Sequence, residues 1–201
     1  MILVINLLRL VIMAYKFANQ KQVRELTAWC MDILHEVQTE VKDYFTFDIR
    51  LIGSGDKRLV TQNNDEAFDL DYNIILQKDK KDLLDNPKQI KEIFVKRFQN
   101  VLQKYVSNYS HVCDSTSVIT VKLVNKNKLN FSFDVAIIVE GDDDYFYKLI
   151  NDKKTGRYIW NQVKQSANYM ERFKAVKDSG QWSKFKQRYL QQQATLADAN
   201  Q

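Results

Sequence analysis

The sequence is poor in the residues that mark disulfide frameworks, zinc sites and low-complexity linkers. Of 201 residues, two are cysteine, one is proline and five are glycine. Cys30 and Cys113 are each isolated, so neither a disulfide framework nor a zinc site is expected, and a reducing, cytoplasmic location is predicted. No HExxH pair, nucleophile elbow or Walker A loop occurs. These absences argue against a zinc protease, an α/β-hydrolase and a P-loop NTPase.

The overall composition is that of an ordinary globular protein. Hydrophobic residues make up 45% of the chain and charged residues 27%. A chain of this length can bury a substantial core, so one domain, or one and a half, is expected. The net charge of +5 suits a polyanionic ligand such as a nucleotide or RNA, but it does not bear on the fold.

The N-terminal stretch Met1–Tyr15 is strongly apolar and is interrupted by Arg9. It is too short to span a bilayer, and it lacks the charge order and cleavage site of a signal peptide. We expect residues 1–18 to form an extra helix docked on the core, or to be an artefactual start upstream of the domain. A membrane anchor is the minor alternative, so no membrane association is expected.

The stretch Leu51–Leu76 carries the strongest functional pattern. It passes from a predicted strand end into Gly53-Ser54-Gly55, and then into a strand with Asp69 and Asp71 on alternate residues. Alternate side chains of a strand share a face, so the two carboxylates project together, roughly 6 to 7 Å apart at Cα. Glycine permits positive φ and close approach to a ligand, and turned-out amides in such a loop form an anion-binding nest. The pattern indicates a metal site beside a phosphate site.

A third carboxylate, Asp134, lies in the apolar strand predicted over Leu129–Val139. A charge within a central strand needs a cation, a hydrogen-bond network or an open strand end. Asp134 follows Asp71 by 63 residues, so the two can meet only through the fold. Three carboxylates from two neighbouring strands can hold two metal ions. For Asp69 and Asp71 by themselves, a solvated acidic strand face is the alternative interpretation.

Gly53-Ser54, Asp69-x-Asp71 and Asp134 together resemble the motifs of the nucleotidyltransferase superfamily, which includes DNA polymerase β, the oligoadenylate synthetases and the bacterial cyclic-oligonucleotide synthases. The resemblance covers about residues 23–165. It implies a nucleotidyltransferase palm that transfers a nucleoside monophosphate from a nucleoside triphosphate to an acceptor, with release of pyrophosphate. Asp69 and Asp71 would bind two magnesium ions, for which manganese can substitute. Asp134 would bind the ion nearer the acceptor and help to activate the acceptor hydroxyl.

The same resemblance implies which groups contact the phosphates. Ser54 and the backbone amides of the turn from Gly53 to Gly55 would hold the terminal phosphates. In relatives a lysine from the C-terminal part contacts the triphosphate, and Lys164 is the candidate here.

The chain departs from the common motif in the loop between Ser54 and Asp69, which holds fourteen residues. Lys57 and Arg58 in this loop are candidates to reach a triphosphate. Two further polar residues of the loop are expected to be solvated, namely Thr61 and Gln62.

Hydrophobic periodicity and capping residues place these motifs in an α+β fold. In chain order, the predicted elements are a helix over 19–44, a strand over Phe45–Ile52, the acidic strand, a charged linker over Gln77–Asp85, a helix from its cap Asn86 to about Tyr109, and a hairpin of strands over Val118–Val124 and Leu129–Val139. The expected architecture is a mixed sheet flanked by helices, followed by a helical C-terminal segment.

We divide the chain into an N-terminal segment (1–18), a catalytic domain (19–144) and a helical C-terminal segment (145–201). The C-terminal segment interleaves aromatic and basic residues. This pattern is typical of an RNA-binding surface and also of a helical subdomain with an aromatic core and a basic outer face, and the second interpretation is favoured. Residues 142–144, three aspartates, are expected to form a solvated turn.

The favoured hypothesis is therefore a magnesium-dependent nucleotidyltransferase that uses a nucleoside triphosphate and an acceptor: a nucleotide, an RNA or a protein. One alternative is a non-catalytic nucleotide- or RNA-binding module, and another is an antitoxin or defence component of the same fold. Three carboxylates without a metal would repel an anionic ligand, which argues against the pure binding module. The motifs leave the base, the acceptor and the oligomeric state open.

Overall fold

The computed structural model describes residues 15–64, 67–105, 111–125, 128–141, 145–163 and 169–198. Within them the chain forms nine strands and five helices, in the order β1 (Tyr15–Phe17), α1 (Gln20–Glu40), β2 (Phe45–Ile52), α2 (Gly53–Lys57), β3 (Thr61–Asn63), β4 (Asp69–Asp79), α3 (Pro87–Tyr105), β5 (His111–Asp114), β6 (Ile119–Asn125), β7 (Lys128–Glu140), β8 (Phe146–Asp152), β9 (Arg157–Gln162), α4 (Tyr169–Asp178) and α5 (Trp182–Asp198).

A seven-stranded sheet forms the centre of the molecule. Its main path runs β2-β4-β7-β6-β5, and β8 pairs with the C-terminal end of β7 and with β9. Strands β4 and β7 are parallel, whereas the other pairs are antiparallel. This confirms the predicted mixed sheet and the α+β class.

One face of this sheet is covered by α1 and α3, which also pack on each other. The side chains of β4 that point to the helices are fully buried, as are their neighbours on β7, and they meet Ile33 and Leu34 of α1 and Phe94 and Phe98 of α3. The ring centroids of Phe98 and Phe133 lie 6.4 Å apart. Because strand side chains alternate, the residues between these core positions point to the other face.

Both long helices begin at an asparagine cap, and the second of these caps is the predicted Asn86. Asn19 Oδ1 accepts hydrogen bonds from the amides of Lys21 and Gln22, at 2.9 and 3.3 Å. Asn86 Oδ1 accepts one from the amide of Gln89 at 3.2 Å, directly before Pro87. A side-chain acceptor at this position satisfies amides that have no partner in the first helical turn. The first helix ends at Glu40 rather than at residue 44.

One prediction at the acidic strand is wrong, and one strand was not predicted. The segment from Gln77 was predicted as a linker, but β4 continues to Asp79 because β2 runs alongside and pairs Phe45 with Asp79. Strand β5 was not predicted at all. It is only four residues long and is held by pairing with β6, so its formation depends on a neighbour distant in sequence more than on its own pattern.

The predicted helical character of the chain from Tyr145 is also wrong for its first part, since β8 and β9 form an antiparallel hairpin. Leu149 and Asn151 are buried on alternate residues of β8, which is strand periodicity. Gly156 has a φ of +68° in the connecting turn. Helices begin only at Tyr169 and continue to Asp198.

A second, two-stranded sheet pairs β1 with β3, and α5 packs against it. The Phe17 and Tyr189 rings stack at 6.5 Å with 9° between their planes. Tyr15, expected at the end of an apolar helix, instead starts a strand. The rest of that expected helix, and the predicted turn at 142–144, lie outside the described residues. None of the described helices is long and apolar enough to cross a membrane.

Candidate active site

Parallel pairing of β4 and β7 brings the predicted carboxylates together. Asp71 pairs with Asp134, and Asp69 pairs with Ser132. Cross-strand partners point to the same side of a sheet, so all three carboxylates project from the face opposite α1 and α3. Leu70 on the intervening position is fully buried in the core. The juxtaposition of Asp71 and Asp134 therefore arises from strand register.

Two hydroxyl groups fix the orientation of these carboxylates. Thr120 Oγ1 donates a hydrogen bond of 2.7 Å to Asp134 Oδ1, and Ser132 Oγ donates to Asp69 Oδ1. Thr120 lies directly opposite Asp134 in the β6–β7 pair. Neither hydroxyl was singled out from the sequence, although the predicted hairpin and the spacing of Ser132 from Asp134 contained the signal.

Burial and mutual repulsion make the ionised forms of two carboxylates unfavourable. Partial burial raises the pKa of Asp71, and the charges of Asp134 and Asp69 raise it further, against the opposing effect of Lys148. Burial also raises the pKa of Asp134, where the hydrogen bond from Thr120 acts in the opposite direction. A cation between such carboxylates would remove the repulsion.

The Gly53-Ser54-Gly55 segment lies against the carboxylates as one turn of helix, α2. Gly53 has a φ of +63°, and a Cβ placed on it would lie 3.0 Å from Asp71 Oδ2. Gly55 is buried, and its Cβ would lie 2.9 Å from Leu51 Cδ1. Without a Cβ, Gly53 adopts its left-handed backbone conformation and approaches Asp71, and Gly55 packs closely against the Leu51 side chain.

A cleft of about 350 Å³ opens in front of these groups. Its described lining includes the four predicted groups Ser54, Asp69, Asp71 and Asp134. The remaining lining comes from β1, β3, the segment leading into β4, and α5, and consists of Tyr15, Thr61, Gln62, Asn63, Ala67, Phe68, Tyr189 and Gln193. Thr61 and Gln62, expected to be solvated loop residues, are thus walls of the cleft.

The predicted basic residues are placed elsewhere. Lys57 pairs with Asp56 and lies 5.8 Å from the centroid of the Phe173 ring. Arg58 lines a separate cavity between α1 and α2, together with Arg24. Neither side chain lines the cleft with the carboxylates. Lys164 falls outside the described residues.

The oxygen donors at the site are of the kind that a hard divalent cation prefers, but their present positions do not form a complete coordination site. Magnesium prefers carboxylate and carbonyl oxygens, and Asp69, Asp71 and Asp134 supply them on one face. Asn73 Oδ1, two residues further along the same face, is buried without a hydrogen-bond partner among the described residues. Among the residues that the structure describes, no three His, Cys, Asp or Glu side chains are close enough to hold a metal ion in their present positions.

Many of the aromatic rings of the C-terminal helices pack against one another. Phe173, Trp182 and Phe185 form a cluster with centroid separations of 5.2 to 6.2 Å. The Lys177 ammonium lies over two of these rings, 4.6 Å from Phe173 and 5.3 Å from Trp182. This arrangement favours the interpretation of a helical subdomain with an aromatic core.

Comparison with known proteins gives results at the level of structure. No protein-family model matches the chain, and no curated protein matches it in sequence. Among solved structures, the CD-NTase CdnG of Bradyrhizobium diazoefficiens in complex with GTP superposes with a TM-score of 0.51 at 12% identity, over 70% of this chain and 39% of that one. The cyclic AMP-GMP synthase DncV of Vibrio cholerae, in complex with the linear intermediate 5′ pppA(3′,5′)pG, gives 0.51 at 10% identity, over 73% and 53%.

A third structure, the STING-associated CdnE c-di-GMP synthase of Capnocytophaga granulosa, gives a TM-score of 0.50 at 13% identity, over 79% of this chain and 47% of that one. The chain thus spans about half the length of these proteins, or less. At identities this low the likeness concerns the fold. It confirms the resemblance noted from the motifs at that level: the chain has the nucleotidyltransferase fold of the CD-NTases.

Proposed function

We propose that this protein is a metal-dependent nucleotidyltransferase that moves a nucleoside monophosphate from a nucleoside triphosphate to a hydroxyl acceptor and releases pyrophosphate. The observation that carries the proposal is the register that sets Asp71 beside Asp134, with the Gly53 backbone packed against Asp71. The expected metal–carboxylate group and the expected phosphate group therefore meet at one cleft. The fold shared with the nucleotide synthases supports the same reaction class.

The position of each side chain in the cleft determines the role that we assign to it. Ser54 and the amides of the α2 turn hold the terminal phosphates at one end of the cleft. Asp69 and Asp71, on the strand next to that turn, are the candidate ligands for magnesium or manganese, and Asp134 is the ligand on the acceptor side. When bound, the metal neutralises phosphate charge and lowers the pKa of the attacking hydroxyl.

The hydroxyls of Thr120 and Ser132 preorganise this arrangement. Each holds one oxygen of a carboxylate, so the orientation of Asp134 and Asp69 does not have to be established when the substrate arrives. Catalysis of phosphoryl transfer depends mainly on such positioning and on electrostatics. Thr120 and Ser132 are thus positioning residues that act through the carboxylates.

The principal alternative is a module that binds a nucleotide without reacting it. Such a module would gain nothing from three carboxylates facing its anionic ligand, because like charges disfavour binding. Burial is the largest cause of the raised pKa values of Asp71 and Asp134, and repulsion between the carboxylates adds to it. The carboxylate cluster therefore favours a site that acts together with a cation.

Thermal-shift measurements with ATP, GTP, CTP and UTP, each with and without magnesium, test the proposal. A ligand that binds only the folded state at a hundredfold excess over Kd adds about 2.7 kcal/mol of stability. We expect a magnesium-dependent shift with at least one triphosphate, which Asp71→Asn abolishes and Asp43→Asn, at an exposed turn position, retains. The nucleotide-free Asp71→Asn protein should melt at or above the wild-type temperature, because one repelling charge is gone.

A shift that persists in Asp71→Asn, or that does not require a divalent cation, would refute the metal–nucleotide site. The absence of a thermal shift with all four triphosphates would also refute the metal–nucleotide site. The first result would favour the non-catalytic nucleotide-binding module, whereas the second would favour an RNA-binding module or a defence component that acts on a partner.

A further inference from the structure

A chain of hydrogen bonds leads from Asp134 toward the edge of the sheet. Thr120 Oγ1 donates to Asp134 Oδ1 at 2.7 Å, and Ser115 Oγ lies 3.0 Å from Thr120 Oγ1. Ser115 belongs to the turn of residues 115–118, which connects β5 to β6. It is not among the described residues that line the cleft. Ser115 would therefore act on a bound metal ion only through its neighbours.

The direction of each hydrogen bond in this chain follows from a count of protons. A threonine hydroxyl carries one proton, and an ionised carboxylate only accepts hydrogen bonds. While Asp134 is ionised, as metal binding requires, the Thr120 proton is committed to Asp134. Ser115 is therefore the donor in its contact with Thr120. Both hydroxyl protons thus point along the chain toward the carboxylate.

This directed chain has two effects on Asp134. Consecutive hydrogen bonds polarise one another, so a donor on Thr120 Oγ1 strengthens the hydrogen bond that Thr120 makes to the carboxylate. The same donor fixes the rotation of the Thr120 hydroxyl, which otherwise turns to suit any acceptor. Asp134 Oδ1 is thereby held in one position, and the second oxygen of Asp134 remains available to a metal ion.

The turn that carries Ser115 is held by the buried side chain of Lys91 from α3. Lys91 is 1% exposed, and its ammonium donates to the carbonyl oxygens of Val118 at 3.0 Å and of Ser115 at 3.4 Å. Within the turn, the amide of Ser115 donates to the same Val118 carbonyl at 3.1 Å. A buried ammonium is costly unless it is paired and hydrogen-bonded, and Asp114 at 3.4 Å supplies the opposite charge.

A second support for the turn comes from β8. The backbone amide of Asn151 donates to the carbonyl of Thr116 at 2.7 Å, and its side chain donates to Asp114 Oδ2 at 2.8 Å. The position of Ser115 is thus fixed by α3 and β8, which lie outside the two strands that carry the carboxylates. A hydroxyl held in this way orients its partner without reorganisation when a ligand binds.

We propose that Ser115, held in place by Lys91, is a positioning residue that directs the Thr120 hydroxyl onto Asp134 and so raises the affinity of the carboxylate cluster for a divalent cation. The proposal rests on the metal-dependent function proposed above and adds to its site a residue that does not line the cleft. The alternative is a purely structural role, in which the turn stabilises the sheet edge and has no effect on the metal.

A double-mutant cycle between Ser115 and Thr120 distinguishes these two roles. The quantity measured is the affinity of the full chain for Mn²⁺, followed by loss of the free-ion electron paramagnetic resonance signal. The sample contains a non-hydrolysable analogue of the triphosphate that gives the largest magnesium-dependent thermal shift. Thr120→Val keeps the shape of the side chain and removes the donor to Asp134, so the affinity should fall about tenfold. Ser115→Ala should lower it about threefold, because it acts through one further hydrogen bond.

The decisive comparison is the effect of Ser115→Ala in different backgrounds. In the Thr120→Val background it should change the Mn²⁺ affinity by less than about 1.5-fold, because the hydroxyl through which it acts is absent. Thr120→Ser retains that hydroxyl, so it should restore the affinity lost in Thr120→Val and also the effect of Ser115→Ala. Ser117→Ala is the matched control in the same turn, since the Ser117 side chain makes no hydrogen bond among the described residues, and it should leave the affinity unchanged.

Melting temperatures of the same samples show which variants are folded. Ser115→Cys keeps the approximate size of the side chain with only a weak donor, and it replaces Ser115→Ala in the cycle if that variant unfolds. Equal Mn²⁺ affinity in wild type and the folded Ser115 variant, or a loss that persists undiminished in the Thr120→Val background, would overturn the positioning role and leave the metal–nucleotide site intact. Absence of protein-dependent Mn²⁺ binding in the wild type would overturn the proposed function, and the positioning role with it.

Discussion

Gly53 is the residue at which the proposed phosphate-binding turn meets the carboxylate cluster. Its φ of +63° lies in the left-handed region, which costs an L-residue with a side chain about 1–2 kcal/mol. In addition, a Cβ at this position would meet Asp71 Oδ2 at 3.0 Å. A side chain here would thus strain the backbone and displace the Asp71 side chain.

Gly53→Ala and Gly156→Ala separate these two effects. Gly156 also has a positive φ, +68°, but nothing lies within 4 Å of its would-be Cβ. Both variants should lose about 1–2 kcal/mol of unfolding free energy from backbone strain. Only Gly53→Ala should also weaken magnesium-dependent nucleotide binding, by an expected tenfold or more, as measured by calorimetry. Equal nucleotide affinity in the two variants would show that contact between Gly53 and Asp71 is irrelevant to the site.

Among the elements, the β8–β9 hairpin is joined to the rest of the fold by a polar network around Asp114 of β5. Asp114 Oδ2 accepts hydrogen bonds from the Tyr158 hydroxyl at 2.6 Å and from Asn151 Nδ2 at 2.8 Å. Its other oxygen lies 3.4 Å from the ammonium of Lys91, a buried side chain of α3. The network ties β5, α3 and the hairpin together at the edge of the sheet.

Tyr158→Phe tests the contribution of this network. The hydrogen bond to Asp114 raises the pKa of Tyr158 to about 12 from an ordinary value of 10.0. A raised folded-state pKa gives stability that is complete below pH 10 and is lost as the pH rises toward 12. The variant should therefore be less stable than wild type by about 1 kcal/mol at pH 8, and the difference should shrink by pH 11.5.

Urea unfolding at the two pH values measures both free energies. Tyr44→Phe is the control, because the described residues offer its hydroxyl no hydrogen-bond partner. A difference between wild type and Tyr158→Phe that is constant from pH 8 to pH 11.5 would contradict the assigned hydrogen bond to Asp114.

The elements that the sequence predicts well are those with local signals. Both long helices begin at their Asn caps, and β2 spans the predicted residues Phe45–Ile52. The convergence of Asp69, Asp71 and Asp134 from two neighbouring strands was predicted because a charge in an apolar strand needs a cation or a hydrogen-bond network; the register of Asp71 with Asp134 was not. For these features the residue types alone carry the physical cause.

Features that depend on pairing between distant segments were missed. Strand β5 has four residues and exists because β6 lies beside it. The β8–β9 segment is rich in lysine and aromatic residues, which suggested amphipathic helices, yet it pairs as a hairpin that extends the sheet. Gln193 carried no local signal either, since it reaches the cleft only because α5 docks on β1.

At the scale of the whole molecule, the cleft is closed by the two ends of the described chain. The central sheet supplies the carboxylates, whereas β1 and α5 supply the aromatic and amide wall. Helix α2, the proposed phosphate-binding turn, connects β2 of the central sheet to β3 of the small sheet. A nucleotide in the cleft would therefore contact both the central sheet and the part formed by β1, β3 and α5. Because three carboxylates repel an anion, we expect it to bind only together with a cation.

The most direct test of this arrangement is to count bound Mn²⁺ by electron paramagnetic resonance, in the presence of a non-hydrolysable triphosphate analogue. Only free Mn²⁺ gives the sharp resonance signal, so its loss counts the bound ions. A sample of the analogue without protein gives the number of ions that the analogue binds by itself. We predict that the wild-type protein with the analogue holds two additional ions per chain and that Asp71→Asn holds at most one. No binding beyond that of the analogue itself, or equal binding by the wild type and Asp71→Asn, would contradict the central claim that these carboxylates form a metal–nucleotide site.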